Sequence, residues 1–465
     1  MSLKQNIKKI VLLGVILSVG LSSCQVTNKY KTPETSKEDL YRDVADTDTT
    51  TIANIPWREY FSDAILVNLI EEGLTNNFDL QMAFERIQQA EAGLSVARAA
   101  YFPNLALVGQ MTHTRTSDAN STLGNYNNQF LVGLSASWEI DLWGKMNRQS
   151  RAKYAAFLNS HAGKNLVQTS VISNIALSYY SLLALDEQLN VTNETIKLLQ
   201  ESVKTMQALK DAGQLNSAAV EQSKSLLYQT QASVPALEIQ IRKLENSLST
   251  LVGRKPGSIA RSTIKAQTVP ASLQYGIPAQ MLAKRPDVQQ AELNFRTAFE
   301  LTNVAQASFY PTIAISTAQI GYGVSSLSSF MQPENLLANI IGGLTQPLFA
   351  RKQLIGNLKV AKAEQRAALL SFRKTVLAAG EEVSNILFAF DASTKKNAIR
   401  AAQVESSEKS VYYTQELLKA GEAIYTEVLS AEQSLLSAQL NQVNDKLEQL
   451  QYTVNLYKAL GGGIE

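Results

Sequence analysis

The stretch from Met146 to Gly213 constrains the fold most, because apolar residues recur in it every seven positions. Two interleaved series carry this repeat: Ile175, Leu182, Leu189, Ile196 and Val203, with Leu185, Leu199 and Met206 between them. A mean spacing of about 3.5 residues is typical of helices that supercoil around a neighbour. At about 1.5 Å per residue, an unbroken helix of this length would measure roughly 100 Å. We therefore expect a long coiled-coil helix that bridges or lines a space.

The same arrangement of landmarks occurs twice along the chain. Three landmarks each recur 208 residues later: Pro103 as Pro311, both after two aromatic residues, Gly213 as Gly421, and Gly253 as Gly461. One offset shared by three landmarks indicates a tandem duplication. We therefore expect one body built from two similar halves, although 465 residues alone would suggest two or three domains.

The N-terminus has the features of an export signal. Three lysines, Lys4, Lys8 and Lys9, precede a short apolar run from Ile10 to Leu21. The sequence Leu21-Ser22-Ser23-Cys24 then predicts a bacterial lipoprotein signal over residues 1–23, with Cys24 carrying acyl chains such as palmitate. The alternative is an ordinary secretory signal with an incidental cysteine. Cys24 is the only cysteine in the sequence, so an internal disulfide is excluded, and residues 24–55 are polar and predict a tether.

Two regions change from a helical period to a period of two. The clearest strand runs from Phe130 to Glu139, with large apolar residues at alternate positions and about the length of a tilted membrane strand. We predict strands within about 104–139 and 312–346, and a polar loop over Thr114 to Asn128. Aromatic residues flank them as an interfacial belt would: Tyr101, Phe102, Trp138, Trp143, Phe309 and Tyr310. A soluble pair of hairpins packed on the helices is the alternative.

Glycine and cap residues mark the predicted helix ends. Long helices are expected to begin near Met146 and Gln353 and to end at Gly213 and Gly421, each followed by a shorter returning helix. Pro235 predicts a kink in the first returning helix.

Two aspartates are candidates for capping roles. Asp79 is a candidate N-cap for a helix that ends before Pro103. Asp287 with Gln290 resembles a capping box, and a packing contact with Arg285 is the alternative.

Four membrane strands in one chain cannot be stable alone, because hydrocarbon offers no hydrogen bonds to the two sheet edges. Two, three or four protomers would supply eight, twelve or sixteen strands, and twelve or more leave room for a channel. Membrane strands in this chain therefore predict an oligomeric barrel continued by helices.

Composition argues against other functional classes. Without the three lysines of the predicted signal, 43 basic residues become 40, against 41 acidic residues, so no nucleic-acid partner is expected. The sequence has no nucleophile elbow, phosphate loop or metal motif, so we expect no enzyme activity and no cofactor. His113 and His161 lie far apart in the sequence, and the seven Met are scattered, which disfavours a metal site.

Five stretches together resemble the TolC-like outer-membrane efflux lipoproteins of the NodT/OprM type. They are Trp57 with Phe61-Ser62-Asp63, Asn76 to Leu80, Ser137 to Lys145, Lys284 to Val288, and Lys419 to Glu432. The resemblance covers Ile55 to Gly463. It implies a mainly α protein with a membrane β-barrel part, in which a homotrimer forms a twelve-stranded barrel and a twelve-helix coiled-coil periplasmic tunnel. The domains would be a first repeat over 56–253, a connection over 254–280 and a second repeat over 281–465.

The resemblance also implies a function and partners. The chain would be a passive exit duct in the outer membrane of a Gram-negative-type bacterium, which exports small molecules and contributes to multidrug resistance. A periplasmic adaptor (a membrane fusion protein) would connect it to an inner-membrane pump, usually of the RND type. The same duct could instead serve protein secretion or metal efflux. A lipid-anchored coiled-coil scaffold without a pore is the alternative from another class.

Two groups of site residues follow from the resemblance. The adaptor would contact the helical tips at Asp211, Gly213, Gln214, Lys419, Gly421 and Glu422. The periplasmic gate would include Tyr425, Thr426, Glu427 and Ser430. Many relatives have Asp at the positions of Glu427 and Ser430, so in this chain only Glu427 can supply an acidic ring there.

Overall fold

The structure, a computed structural model, describes residues 27–34, 40–42, 51–118, 121–270, 273–276, 278–325 and 332–464. The predicted signal sequence over residues 1–23 and the predicted lipidation site Cys24 lie outside these residues.

Nine α-helices and four strands make up the regular structure of the described residues. The elements are α1 (Trp57–Tyr60), α2 (Ala64–Asn76), α3 (Phe78–Ala99), β1 (Asn104–Asp118), β2 (Ser121–Ile140), α4 (Lys145–Asp211), α5 (Ser217–Leu251), α6 (Pro278–Lys284), α7 (Pro286–Ala307), β3 (Thr312–Val324), β4 (Leu336–Thr345), α8 (Gln353–Ala420) and α9 (Tyr425–Ala459). Short 3₁₀ turns lie at Ile52–Asn54, Ile264–Ala266 and Pro333–Asn335. In the described residues, no helix is both long enough and apolar enough to cross a membrane.

The boundaries of these elements confirm the duplication. Helices α3 and α7 begin at residues 78 and 286 and end at 99 and 307, and both differences are 208. Helices α5 and α9 obey the same offset at both ends, 217 to 425 and 251 to 459. Helices α4 and α8, at residues 145 and 353, and strands β1 and β3, at 104 and 312, begin 208 residues apart as well.

The duplication extends to individual hydrogen bonds. Asn77 Nδ2 donates to the carbonyl of Leu251 at 2.8 Å, and Arg285 Nη1 donates to the carbonyl of Ala459 at 2.9 Å. The two donors are 208 residues apart, and so are the two acceptors. Different side chains thus fix the end of the returning helix in each half.

Gly253 and Gly461 are required at the same joints. Their φ angles are +80° and +85°, which L side chains rarely adopt. A Cβ on Gly253 would lie 2.4 Å from the carbonyl oxygen of Asn76, and a Cβ on Gly461 would lie 2.9 Å from the backbone of Lys284. The glycines that first indicated the duplication therefore allow two backbones to approach closely.

The described chain divides into two compact units, each containing residues from both halves. Of the described residues, those within 27–34, 87–160 and 291–372 form one unit, and those within 40–86, 161–290 and 373–464 form the other. All four strands belong to the first unit, hereafter the strand unit. The second unit, hereafter the helical unit, contains the returning helices and most of the two long helices.

The strands form one antiparallel sheet in the order β1-β2-β3-β4. Leu107, Leu134 and Ile320 lie opposite one another on three neighbouring strands, with 76%, 60% and 62% of their surface exposed. Opposite residues share a face of a sheet, so one face is apolar and uncovered within the protomer. The sheet confirms the predicted strands in both halves, although every residue of β4 is exposed within the protomer.

The predicted loop over Thr114 to Asn128 is wrong for most of its length. Strand β1 continues to Asp118, β2 begins at Ser121, and His113 still pairs with Asn128. A ladder bonds backbone to backbone, so it tolerates polar side chains wherever neither face must be buried. Side-chain polarity was therefore a poor guide to where these strands end.

Half of the predicted heptad positions of α4 are buried in the core of the helical unit, and the others are half-buried: Leu185, Leu189, Ile196 and Val203. Ile175 and Leu182 are completely buried, and Leu199 and Met206 are 1% exposed. Helix α5 runs without interruption through Pro235.

Two local interpretations of caps change. Asn77, rather than Asp79, caps α3, because its Oδ1 accepts a hydrogen bond from the backbone N–H of Leu80 at 2.9 Å. Asp287 binds Arg285 through Nη2 at 2.8 Å, which is the packing contact left open by the sequence.

Candidate functional site

Both long helices of the helical unit end in the same turn. Gly213 and Gly421 have φ angles of +77° and +78°. Each glycine N–H donates to the carbonyl three residues earlier, and the next N–H reaches five residues back, from Gln214 to Leu209 and from Glu422 to Leu417, both at 2.9 Å. This is a Schellman motif, in which the left-handed residue satisfies the last helical carbonyls. We call these two turns, 212–216 and 421–424, the tips.

An apolar cluster supports both tips. Met206, Val220, Leu418 and Val428 are buried in it, one from each of the four helices α4, α5, α8 and α9. Leu209, Leu215 and Tyr425 pack against it. Because one cluster joins both helical hairpins, the two tips are held together within a single chain.

The six predicted adaptor-contacting residues are all exposed, within these tips or in the last turn of the helix before them: Asp211, Gly213, Gln214, Lys419, Gly421 and Glu422. Gln207 donates to Asp211 at 2.7 Å, and Lys419 pairs with Glu416 at 2.7 Å. Each tip therefore combines a glycine, which has no side chain, with exposed polar side chains that contact only residues three or four positions away.

Three of the four predicted gate residues lie together. Thr426, Glu427 and Ser430 are exposed in the first two turns of α9, where spacings of three and four residues place them on one side. Tyr425 is half-buried instead and packs on the apolar cluster. The structure therefore separates the tyrosine from the polar surface that carries Glu427.

A buried polar layer lies just beyond the gate residues, and sequence reasoning missed it. Glu432 is 1% exposed, and its Oε1 accepts a hydrogen bond from Gln415 Nε2 of α8 at 3.1 Å. The Ser202 hydroxyl of α4 faces the same carboxyl. Burial raises the pKa of Glu432, and these two polar groups offset only part of that increase. The available signal was a glutamate at a heptad position, between Val428 and Leu435.

The predicted interfacial aromatic residues lie in the strand unit, at the end of the sheet where β1 and β3 begin. Trp138 Nε1 donates to the carbonyl of Tyr101 at 2.9 Å, and Trp143 Nε1 donates to the carbonyl of Pro311 at 2.6 Å. The Trp143 ring also lies 5.1 Å from that of Tyr310. Phe102 is 73% exposed. Amphipathic rings with satisfied N–H groups and exposed edges suit a boundary between lipid and water.

In the part of the chain that the structure describes, no group of three or more His, Cys, Asp or Glu side chains is placed to hold a metal ion.

Comparison with known proteins agrees with this architecture. The sequence model of the family "Outer membrane efflux protein" matches residues 69–254 and again 277–462, so the family pattern itself recurs at the 208-residue offset. The chain is 27% identical over 408 residues to "Probable outer membrane lipoprotein SilC" of Salmonella typhimurium, with 88% of each protein covered. It is 28% identical over 409 residues to "Solvent efflux pump outer membrane protein SrpC" of Pseudomonas putida, with 87% of each covered.

A solved structure shows the same fold. The outer-membrane channel OprN superposes with a TM-score of 0.87 at 24% identity, covering 95% of this chain and all of that one. The chain therefore has the TolC-like fold and belongs to the outer membrane efflux protein family. It is the outer-membrane component of an efflux system, and its family and fold are those of channel proteins.

Proposed function

We propose that three copies of this chain form a duct through which small molecules leave the periplasm. Each copy contributes four strands to a shared barrel, and the helices continue that barrel as a tunnel. In the described residues, β1 and β4 each pair on one side only, and the sheet they border has a large uncovered apolar face. This sheet is the observation that carries the proposal.

Closure across chains follows from the chemistry of the sheet edges. Unpaired backbone groups in hydrocarbon cost several kcal/mol each, so β1 of one copy must pair with β4 of the next. Three copies supply twelve strands, enough for an interior wider than side chains can fill. Domain boundaries at 56–253, 254–280 and 281–465 belong to this proposal, with one repeat in each half.

We assign the tips to the contact with a periplasmic adaptor, which links the duct to an inner-membrane pump, usually of the RND type. The exposed Schellman turns support this assignment, because glycines without side chains let a partner helix approach the backbone. The pump selects the cargo and supplies the energy, and the duct provides the path through which the cargo leaves. SrpC is named for solvent efflux, and we extend that class, small organic molecules, to this chain.

Charge reversal at the second tip should abolish efflux. Glu422→Lys is expected to reduce drug resistance to that of a strain lacking the duct, because the Glu422 side chain is exposed beside Gly421 at the proposed adaptor contact. Growth with toxic substrates measures this, alongside immunoblots of the trimer. The control is Glu334→Lys, an equal charge change at an exposed site between β3 and β4. Full resistance in the Glu422 variant would remove this tip from the adaptor contact.

The exposed side of α9 that carries Thr426, Glu427 and Ser430 is our candidate for the gate. Glu427→Gln is expected to shift the reversal potential of the duct towards zero in a salt gradient, because a ring of carboxylates in a narrow pore favours cations. Planar bilayer recordings measure this shift, and Glu334→Gln is the matched control. An unchanged reversal potential in Glu427→Gln would exclude this residue from ion selection.

Lipidation at Cys24 is supported by the tether that follows it. Asn28 N–H donates to Asn303 Oδ1 of α7 at 3.0 Å, and the Tyr30 ring lies 5.6 Å from that of Phe299. Thr27 accepts a hydrogen bond from Arg148 Nε at 3.0 Å. Residues 27–30 of the predicted tether therefore pack within the strand unit.

Cys24→Ser should release the protein from its lipid anchor. We expect mass spectrometry of the mature variant to show no acyl chains, and fractionation to show mislocalised protein. The wild-type N-terminus provides the comparison. Acyl chains that persist on the Ser variant would place the modification at another residue.

A further inference from the structure

Glu432 occupies the middle of three stacked layers in the helical unit. Each layer takes one residue from each of α4, α8 and α9, three or four positions apart: Leu198, Val411 and Leu435; Ser202, Gln415 and Glu432; Met206, Leu418 and Val428. Spacings of three and four are those of successive core positions in a coiled coil. The outer two layers are apolar, and the middle one is polar and contains a carboxyl group.

No cation compensates this carboxyl among the described residues. The polar groups that face it are the Ser202 hydroxyl on α4 and the Gln415 amide on α8. No hydrogen bond of good geometry reaches Glu432 Oε2 in the described part of the chain.

The nearby charges of α4 and α8 that form ion pairs are exposed. Glu201 pairs with Lys204 on α4, and Glu416 pairs with Lys419 on α8, both at 2.7 Å. On α5, Lys224 pairs with Glu221 at 2.8 Å. The gate residue Glu427 is exposed, and Tyr425 lies in the apolar layer nearer the tip. An ionised Glu432 would therefore have neither a counterion nor water in this packing.

We propose that Glu432 is a proton-sensitive latch of the duct: its neutral form holds α9 against α4 and α8, and its ionised form favours separation of these helices at the gate. The proposal rests on the gate function proposed above and assigns its regulation. The carboxyl lies two residues from Ser430 on the same helix, so movement of α9 that hydrates Glu432 also moves the gate surface.

The burial of Glu432 determines the direction in which pH changes the packing of α9. Burial raises the pKa of Glu432 in the packed arrangement above its ordinary value of 4.5. A group with a raised pKa stabilises the packed form fully at pH below that ordinary value, and the stabilisation is lost as pH rises through the raised pKa. Acid therefore closes the latch, and higher pH loosens it.

A purely structural role makes a different prediction. A polar layer that only fixes the register of three helices needs hydrogen bonds, and glutamine supplies those without a titrating proton. Glu432→Gln should then behave as the wild type at every pH. A latch instead requires that Glu432→Gln stays packed when the wild type loosens.

Hydrogen–deuterium exchange of residues 425–436 in the detergent-solubilised protein tests the latch at pH 5 and pH 8, with rates corrected for intrinsic exchange. For each unit by which the pKa is raised, wild-type protection should fall up to about tenfold at pH 8. Glu432→Gln and Glu432→Leu should keep equal protection at both pH values. Glu408→Gln removes an exposed carboxylate from α8 and should follow the wild type. A wild type without pH dependence, or a Gln variant that loosens as the wild type does, would overturn the proposal.

Bilayer conductance separates the latch from the gate. We expect wild-type conductance to rise with pH and that of Glu432→Gln to stay low. If exchange responds to pH while conductance does not, the latch is supported and the assignment of the gate to this surface is refuted.

Discussion

Arg285→Met is expected to destabilise the helical unit by about 3 kcal/mol, because it leaves buried polar groups without their partner. Arg285 is 8% exposed and binds three groups: the carbonyl of Ala459 at 2.9 Å, Asp287 at 2.8 Å and Glu382 at 2.7 Å. Removal of the guanidinium would leave both the carbonyl of Ala459 in the last turn of α9 and the half-buried carboxylate of Asp287 without their partner. Denaturant unfolding of the detergent-solubilised protein, followed by circular dichroism, measures the loss.

The duplication supplies the matched control for this prediction. Asn77 makes the equivalent bond to Leu251 without a charge, and it also caps α3, so Asn77→Ala should cost about 2 kcal/mol of unfolding free energy. Similar losses for the two variants, both below about 1 kcal/mol, would show that neither joint stabilises the helices.

Acid should reduce the difference in unfolding free energy between the wild type and Arg285→Met. Burial alone would raise the pKa of Asp287, but the hydrogen bonds and charge of Arg285 outweigh it and hold that pKa below its ordinary value of 3.8. A lowered pKa stabilises the folded form above about pH 4, and this contribution is lost as pH falls through the lowered pKa. We expect the stability gap to be constant from pH 8 to pH 5 and to narrow below pH 4.

Replacing either member of the Arg148–Glu300 ion pair in the strand unit should lower the free energy of unfolding by about 3–5 kcal/mol. The two side chains are 6% and 1% exposed, and Arg148 Nη1 lies 2.9 Å from Glu300 Oε2. Arg148→Met leaves the buried carboxylate of Glu300 without its counterion, and Glu300→Leu does the same to the buried guanidinium of Arg148. Thermal unfolding and the yield of assembled protein measure both losses.

The double variant separates pairing from packing. Arg148→Met with Glu300→Leu removes both charges, so it should recover most of the loss, because apolar residues of similar size often replace a buried ion pair at little cost. Losses that simply add in the double variant would contradict this account of the pair.

Local periodicity was enough to predict most of the fold. The seven-residue repeat located α4, alternation located β1 to β4, and the 208-residue offset related the halves down to helix ends. These signals survive in a single sequence because they reflect which side of each element is apolar. Strand length was not predictable in this way, because the ladder from Thr114 to Asp118 is formed by backbone hydrogen bonds, which do not depend on side-chain polarity.

The joints and the buried layer could not be read from the sequence, because their partners lie far along the chain. Asn77 reaches Leu251, Arg285 reaches Ala459 and Glu382, and Glu432 meets Ser202. Local capping rules compare residues three or four positions apart, so they can indicate the bond from Leu80 to Asn77 but not the bond from Asn77 to Leu251. The tips were predictable because a glycine after a long helix is itself a local signal.

The most direct test of the duct is electron microscopy of the full-length, lipidated protein extracted in detergent. The account predicts particles with three-fold symmetry, a barrel at one end and a tapered helical tube, together well over about 100 Å long. Monomers or rods without an axial cavity would contradict it, because the exposed sheet edges and apolar face would then have no partner chain.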